Sequence, residues 1–231
     1  MNQDSTILHQ KKILITAGPT REAIDPVRYI SNHSSGKMGY ALAQEFLNRG
    51  ANVVLISGPV CLQLQHERLQ LVLVQSANDM YMACCRFFEE VDIAVFAAAV
   101  ADYRPAEMAQ QKIKKNEDSF TIKMVKNIDI AYEFGKIKQP HQVSVGFALE
   151  TNDEEANAIG KLNKKNFDMV VLNSMNDAQA GFGYDTNKIS IIKKDLSAAV
   201  FSLKSKTEVA FDIAETAVEL LAAKRELSSL F

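Results

Sequence analysis

At 231 residues, with 47% hydrophobic and 23% charged side chains, the chain is long enough to bury a full core and has the composition of a globular protein. A formal net charge of -2 excludes a broadly polyanion-binding or disordered polypeptide, so any nucleic-acid role would need a local patch. No apolar run approaches the roughly 20 residues of a membrane helix, and the three cysteines are an odd number, so a cytoplasmic protein with reduced thiols is expected, one domain over residues 1–231.

The first apolar run, "KILITAG" (residues 12–18), is short, β-branched and followed by Gly-Pro, which predicts a buried parallel strand ending in a turn. A polar stretch follows. Then Ala41, Leu42, Ala43, Phe46 and Leu47 repeat at helical spacing, with Gly50 as the stop, and "NVVLISG" supplies a second buried strand. The pattern recurs: "LQLVLV" as a strand, "SANDMYMACCRFFEE" as a helix opened by Ser76 with Asp79 three residues on, "DIAVFAAAV" as a strand. A helix from about Asn127 to Lys138, the strand "VSVGFALE", a helix from about Asp153 to Asn166 and the strand "DMVVLNS" complete the series. The expected fold is α/β, a doubly wound, mostly parallel, Rossmann-like sheet.

Two regions break the rhythm. Residues 104–126 form a charged inserted segment whose second half alternates like a strand, and "KISIIKKDLSAAVFSL" reads as a C-terminal hairpin ahead of an amphipathic final helix. Insertions of this kind carry function or oligomer contacts. Of the cysteines, Cys84 and Cys85 are neighbours on a helix and point in different directions.

Open parallel sheets bind ligands beyond the carboxyl ends of their strands, and the stretch "YISNHSSGKMGYALAQEFLNRG" (residues 29–50) follows the first strand. Ser34-Ser35-Gly36-Lys37 resembles a phosphate loop, but Met38 stands where Ser or Thr should, and no glycine stands five residues before Gly36. The two-glycine dinucleotide turn is absent as well. What remains is a helix N-terminus with small polar residues, suited to an anion, at Ser34, Ser35, Gly36 and Gly39. The plainer reading makes the serines caps, which leaves Asn32, His33 and the polar lead-in unexplained. Taken by themselves, the residues of "KIKK" (112–115) read as a solvated face.

In order along the chain, "ILITAGPTRE", "DPVRYISNHSSGKMG", "AAAVADYRP", "KIKK", "TIKMVKN" and "VGFALET" resemble phosphopantothenoylcysteine synthetase, the cysteine ligase of coenzyme A biosynthesis. The resemblance runs from about Lys12 to Asn187. With about ten residues before the first strand, the chain is similar to the stand-alone form rather than to the fusion behind a flavin-dependent decarboxylase.

The resemblance implies a ligation in which the carboxylate of 4'-phosphopantothenate is activated as an acyl-nucleotidylate and then joined to cysteine. "KIKK" is similar to the bacterial, CTP-dependent type, the eukaryotic type generally using ATP. By the same resemblance Lys112 holds the triphosphate and stabilises charge during activation, and Asn32 contacts the acyl-nucleotidylate and assists its conversion. Ala98, Asp102, Asp129, Ile130, Phe147, Lys161 and Lys165 match positions at the base and ribose, and Ser34 to Gly39 suit the substrate phosphate. Magnesium is expected with the triphosphate, its ligands unassigned, and a homodimer is implied, with the insertion or the hairpin crossing to the partner. One departure stands out: this chain reads Lys126-Asn127-Ile128-Asp129 where the bacterial family commonly has proline before the aspartate.

Asn173 and Asp177 lie in a glycine-containing stretch (173–189) expected to be a mobile loop near the site; contact with nucleotide or magnesium is one reading of them, and ordinary Asx turns explain them equally well. A reductase using NADP on the same sheet is the main alternative, but it needs a cofactor turn and a Tyr-x-x-x-Lys pair, and Tyr29 is followed four residues on by His33. A non-catalytic nucleotide-binding module is the second.

Overall fold

The computed structural model describes residues 8–114, 119–174 and 183–228. In chain order the elements are β1 (Lys12–Ala17), β2 (Arg21–Ala23), β3 (Tyr29–Ser31), α1 (Lys37–Asn48), β4 (Asn52–Ser57), β5 (Leu69–Leu73), α2 (Ala77–Cys85), β6 (Ile93–Phe96), β7 (Tyr103–Pro105) and β8 (Met124–Lys126). They continue with α3 (Ile130–Ile137), β9 (Val143–Glu150), α4 (Glu154–Lys164), β10 (Met169–Ser174), β11 (Thr186–Asn187), β12 (Ile189–Lys193), β13 (Ala198–Val200), β14 (Lys204–Ser205) and α5 (Lys206–Ser228).

The main sheet has the order β13-β12-β10-β9-β6-β1-β4-β5. The six strands from β10 to β5 are parallel, whereas β12 pairs antiparallel with β10 and β13 antiparallel with β12. The chain therefore begins at the centre with β1, winds outward through β4 to β5, returns to β6 on the other side of β1, and winds outward again. That is the doubly wound arrangement, with its switch point between β1 and β6.

Helices cover both faces, so the strands bury both sets of alternating side chains, which is why they read as continuous apolar runs. Ile13, Ile15 and Ala17 of β1 cluster with Leu42, Phe46 and Leu47 of α1 and with Val209, Ile213 and Ala217 of α5. Leu14 points to the other face, among Met80 of α2, Phe134 of α3 and Leu162 of α4. Phe134 is the hub of an aromatic group with Tyr81, Phe88 and Phe96.

The helix signals read from the sequence have direct structural counterparts. Ser76 and Asp79 close a reciprocal capping box on α2. Gly50, at φ 89°, ends α1 with the backbone bonds Gly50 N–H to Leu47 O and Ala51 N–H to Phe46 O. Cys84 is buried and Cys85 exposed. Among the described residues no helix is long and apolar enough to cross a membrane.

Four boundaries differ from the sequence reading, each for a local reason. The strand expected over 92–100 stops at Phe96: beyond it, Ala99 N–H bonds Gly18 O and Thr20 N–H bonds Ala99 O, a looser lacing imposed by Pro19, which has no N–H. The helix expected from about Asn127 begins at Ile130, because the Asp129 carboxylate accepts from Tyr132 N–H and caps it. The alternating half of the insertion yields only β8, paired with the three residues of β7. Finally, the polar lead-in before α1 is a β-hairpin of β2 and β3, whose turn is closed by Asp25 accepting from Val27 N–H and Arg28 N–H.

At the opposite end of the sheet from the strand termini that bind ligands, Asp168 sits among Lys138 at 2.8 Å and Lys224 at 2.7 Å and accepts from Ser144 N–H at 2.7 Å. Burial pushes the Asp168 carboxyl up, and the two ammonium groups outweigh it, leaving it below the usual carboxylate range. The cluster ties α5 and the end of α3 to the sheet.

Candidate functional site

Three strands end in one place. At the carboxyl ends of β1, β6 and β9 the residues Thr16, Ala98, Ala99 and Phe147 line two adjoining cavities, of about 210 and about 130 Å³, that share Ala98, Ala99 and Phe147. This is the switch point, where neighbouring connections leave the sheet in opposite directions and open a crevice.

The larger cavity is built on the 97–101 loop and the start of α3. Ala98 N–H donates to Thr16 Oγ1 at 3.3 Å and Ala101 N–H to Thr20 Oγ1 at 3.0 Å, so the two threonines after and within β1 set the loop's path. Asn127 secures the far wall, its Nδ2 donating to Ala101 O at 2.8 Å and its N–H to Asp102 O at 2.8 Å. Ala98, Asp102, Asp129, Ile130, Phe147 and Lys165 all line this cavity, together with Phe167 and Ile128. Asp129 both caps α3 and pairs with Lys165 at 2.9 Å. Ile128, the residue in the place of the family proline, packs its half-buried side chain on the core. The turn is instead held by Asn127 and by Arg104, whose guanidinium donates to Lys126 O and Asn127 Oδ1.

Lys161 and Lys112 stand apart. Lys161 is four residues before Lys165, but it pairs with Glu150 at 2.6 Å and lines neither cavity. Lys112 is exposed on the insertion, next to Ile113, whose backbone is gripped on both sides. Ile113 N–H donates to Asp25 Oδ2 at 3.1 Å, and Arg28 Nη2 donates to Ile113 O at 3.1 Å. Asp25 is 2% exposed, and the Arg28 guanidinium beside it, helped by three backbone N–H groups, holds its carboxyl well below the usual carboxylate range. Lys115 lies outside the described residues, as do Asp177 and Gly181.

The smaller cavity lies at the N-terminus of α1 and is lined by Ser34, Ser35, Gly36, Lys37 and Gly39. The serines do not cap the helix: the cap position is Gly36, at φ 78°, with no side-chain hydrogen bond, while Ser34 Oγ accepts from Gly36 N–H at 3.3 Å. The first N–H groups of α1 are thus left without a side-chain acceptor beside the cavity. Gly39 lets the helix end lie against the sheet, since a Cβ there would sit 2.5 Å from the Ala17 Cβ. Asn32, just upstream, lines neither cavity but donates its side-chain amide to Ala99 O and Val100 O, both at 3.1 Å; Ala99 lines both cavities and Val100 the larger.

Two residues that sequence reasoning passed over, Lys206 and Asn187, help complete this cavity. Lys206, the first residue of α5, is 9% exposed and lines it, with Nζ donating to Tyr184 O at 2.5 Å. Lys37 lines it too, paired with Asp185 at 2.6 Å. Asn173 and the buried Asn187 form the remaining polar wall. A signal for Lys206 did exist: a lysine opening a helix opposes the helix dipole and so needs another reason to be there.

The profile of the family described as "DNA/pantothenate metabolism flavoprotein C-terminal domain" matches residues 8–221. The chain belongs to this family. A "Coenzyme A biosynthesis bifunctional protein CoaBC" from Bacillus subtilis (strain 168) is 44% identical over 211 residues, which cover 91% of this chain and 52% of that protein. A protein named "Cysteine/Cysteine sulfinic acid decarboxylase", from an unknown prokaryotic organism, is 49% identical over 206 residues, 89% of this chain and 57% of its own. The chain thus spans about half the length of these curated relatives. The crystal structure of the C-terminal domain of a CoaBC protein superposes with a TM-score of 0.80 at 38% identity, covering 94% of this chain and 98% of that one. The similarity therefore falls on the C-terminal domain of the two-part protein, and the mostly parallel α/β sheet described above is that domain's fold.

Proposed function

We propose that this chain is a phosphopantothenate–cysteine ligase that joins 4'-phosphopantothenate to L-cysteine through an acyl-nucleotidylate, with CTP as the activating nucleotide. The observation that carries the reading is the adjacency of two different seats at one switch point. A cavity open to helix N–H groups and two lysines suits a phosphate, and it shares a wall with a larger cavity of mixed apolar and acidic lining suited to a base and ribose. Family membership narrows the chemistry to coenzyme A biosynthesis, the process named for the CoaBC relative.

In this reading the pantothenate carboxylate, reaching from the phosphate seat toward Ala98 and Ala99, attacks the α-phosphorus of the nucleotide and pyrophosphate leaves. Lys112 supplies positive charge to the phosphates during that displacement. The cysteine amine then attacks the acyl carbonyl, the nucleoside monophosphate departs with the bonding pair, and the nitrogen loses its proton. Asn32, beside the carbonyls of Ala99 and Val100, orients the mixed anhydride and exchanges one of those two acceptors for the acyl carbonyl as charge builds there. Lys165 and Asp129 hold the nucleotide end, and Lys161 joins them only by leaving its pairing with Glu150.

Magnesium would accompany the triphosphate and supply charge neutralisation there. Among the described residues there is no cluster of three or more His, Cys, Asp or Glu side chains that would form an all-protein cage. That suits an ion held by phosphate oxygens, water and one carboxylate, for which Asp102 in the larger cavity is the candidate. The protein acts in the cytoplasm as a homodimer; the exposed apolar edge strand β13, with Val200 at 76% exposure, is the contact we assign to the partner.

Purified protein incubated with 4'-phosphopantothenate, cysteine, magnesium and either CTP or ATP should release pyrophosphate, faster with CTP, and yield the cysteine amide by mass spectrometry. Absence of pyrophosphate with both nucleotides would overturn the ligase reading. Light scattering should give twice the chain mass.

A further inference from the structure

We propose that Asn127 is a positioning residue for the nucleotide: it clasps the two walls of the larger cavity together, and the spacing of Asp102 and Asp129 that results sets nucleotide affinity. This deepens the ligase reading and rests on it for the identity of the nucleotide.

Both walls are loops, and a loop keeps one shape only where its backbone groups are tied. The wall after β6 is tied to the chain that follows β1: Ala99 N–H bonds Gly18 O at 2.9 Å, and Ala101 N–H bonds the hydroxyl of the buried Thr20. The opposite wall is the turn from β8 into α3, and its far end is fixed by the Asp129 cap. Its near end meets the first wall through the three-residue β7–β8 ladder and through Asn127.

Three polar groups of Asn127 serve that junction. Nδ2 donates to Ala101 O and N–H to Asp102 O, both at 2.8 Å, so two successive residues of the first wall are held. Oδ1 accepts from Arg104 Nη1 at 3.2 Å, and the same nitrogen donates to Lys126 O at 2.9 Å. Arg104 lies two residues past Asp102, so the first wall also reaches back to grip the second. An amide is required here. A carboxylate at 127 would bring no donor to Ala101 O, and an alkyl chain would serve neither partner.

The clasp lies between the two acids of the cavity. Asp102 and Asp129 line it from opposite walls, and Asn127 bonds the backbone of the first and stands two residues before the second. The residue between them, Ile128, does not restrain its own backbone as a proline ring would, by fixing φ at about −65°. The spacing therefore depends on hydrogen bonds. Walls set in advance spare the ligand the cost of ordering them, so cutting the clasp should weaken the nucleotide. The second substrate should be indifferent, because Ala101, Asp102 and Arg104 line no part of the smaller cavity.

Calorimetric titration of the full chain tests this, with CTP, with ATP where CTP gives no heat, and with 4'-phosphopantothenate. Asn127→Ala removes the side-chain bonds without adding charge, and should weaken nucleotide binding by roughly 10-fold while 4'-phosphopantothenate binding stays as in the wild type. In turnover the same variant should raise KM for the nucleotide and change kcat little. A merely structural role would lower the thermal midpoint without that selectivity. Unchanged nucleotide affinity, equal weakening of both ligands, a fall in kcat at constant KM, or a wild type that binds neither nucleotide would each overturn the proposal.

A second measurement needs no variant. In the free wild-type protein the Asn127 amide, which donates to Asp102 O, should already exchange slowly with deuterium. Exchange as fast as in an open loop until nucleotide is added would overturn the preset clasp even if Asn127→Ala fails to fold. Nucleotide binding that depends on Asn127 without any pyrophosphate release would sink the ligase reading alone; pyrophosphate release by a chain whose nucleotide affinity ignores residue 127 would sink the clasp alone.

Discussion

The side-chain amide of Asn32 donates to Ala99 O at 3.1 Å across 67 positions of sequence, bridging the approach to α1 and the loop after β6. A second bond to Val100 O fixes the amide plane. The residue is therefore oriented by two acceptors, one of which, Ala99, lines both cavities. Asn32→Asp places a carboxylate against two carbonyl oxygens and removes the donor. It should leave nucleotide activation largely intact and slow the conversion with cysteine by about 100-fold, so that acyl-nucleotidylate accumulates in a single-turnover reaction followed by mass spectrometry. A fully active Asn32→Asp enzyme would show that the role assigned to this amide is wrong.

Lys112 depends on a grip that lies behind it. Asp25 and Arg28 hold the N–H and the C=O of Ile113, so the lysine beside it projects from a fixed backbone. Lys112→Gln should abolish pyrophosphate release. Asp25→Ala, which keeps Lys112 but frees its backbone, should lower the rate of activation by about 10- to 100-fold with little effect on 4'-phosphopantothenate affinity. Burst kinetics of pyrophosphate release distinguish the two, since a variant with unchanged burst rate would make the grip irrelevant to chemistry.

Gly39 tests the seating of α1. With its Cβ position 2.5 Å from the Ala17 Cβ, Gly39→Ala must push the helix N-terminus off the sheet. The overpacking should cost about 1–3 kcal/mol, read as a fall in thermal midpoint, and KM for 4'-phosphopantothenate should rise more than KM for the nucleotide. Equal effects on both substrates would argue against a phosphate seat at this helix end.

The Asp168 cluster predicts an acid limb of stability distinct from activity. Its carboxyl titrates below the unfolded value in the native state, so the stabilisation is fully present above about pH 4 and is lost as pH falls further through the native value. Urea midpoints measured between pH 6 and 2 should drop over that range. Removing one partner from so buried a pair, as in Lys138→Met, should cost about 3–5 kcal/mol. Activity per folded molecule should not change, because the cluster lies at the far end of the sheet; a specific-activity loss matching the stability loss would contradict that separation.

Much of this protein was legible in its sequence because the sheet is buried on both faces. Continuous runs such as "KILITA" and "VSVGFALE" have no polar face to offer solvent, and the helices between them carry explicit signals, a start at Ser76 and a stop at Gly50. Ordered motifs pointed to the family, and six of the nucleotide positions they mark do line one cavity. Tertiary structure alone decided the rest. Ser34 and Ser35 read as an anion seat with capping as the plainer alternative, and only the fold shows Gly36, in a left-handed conformation, taking the cap position. Lys161 and Lys165 share a helix face in sequence, but a carboxylate from β9 draws one away from the cavity. Lys206 lies 169 positions beyond Lys37 (206 minus 37), and only the packing of α5 on α1 brings both lysines to one cavity. Periodicity and capping are local and so are written in neighbouring residues, whereas the charge of a cavity is a sum over distant segments that only the folded chain assembles.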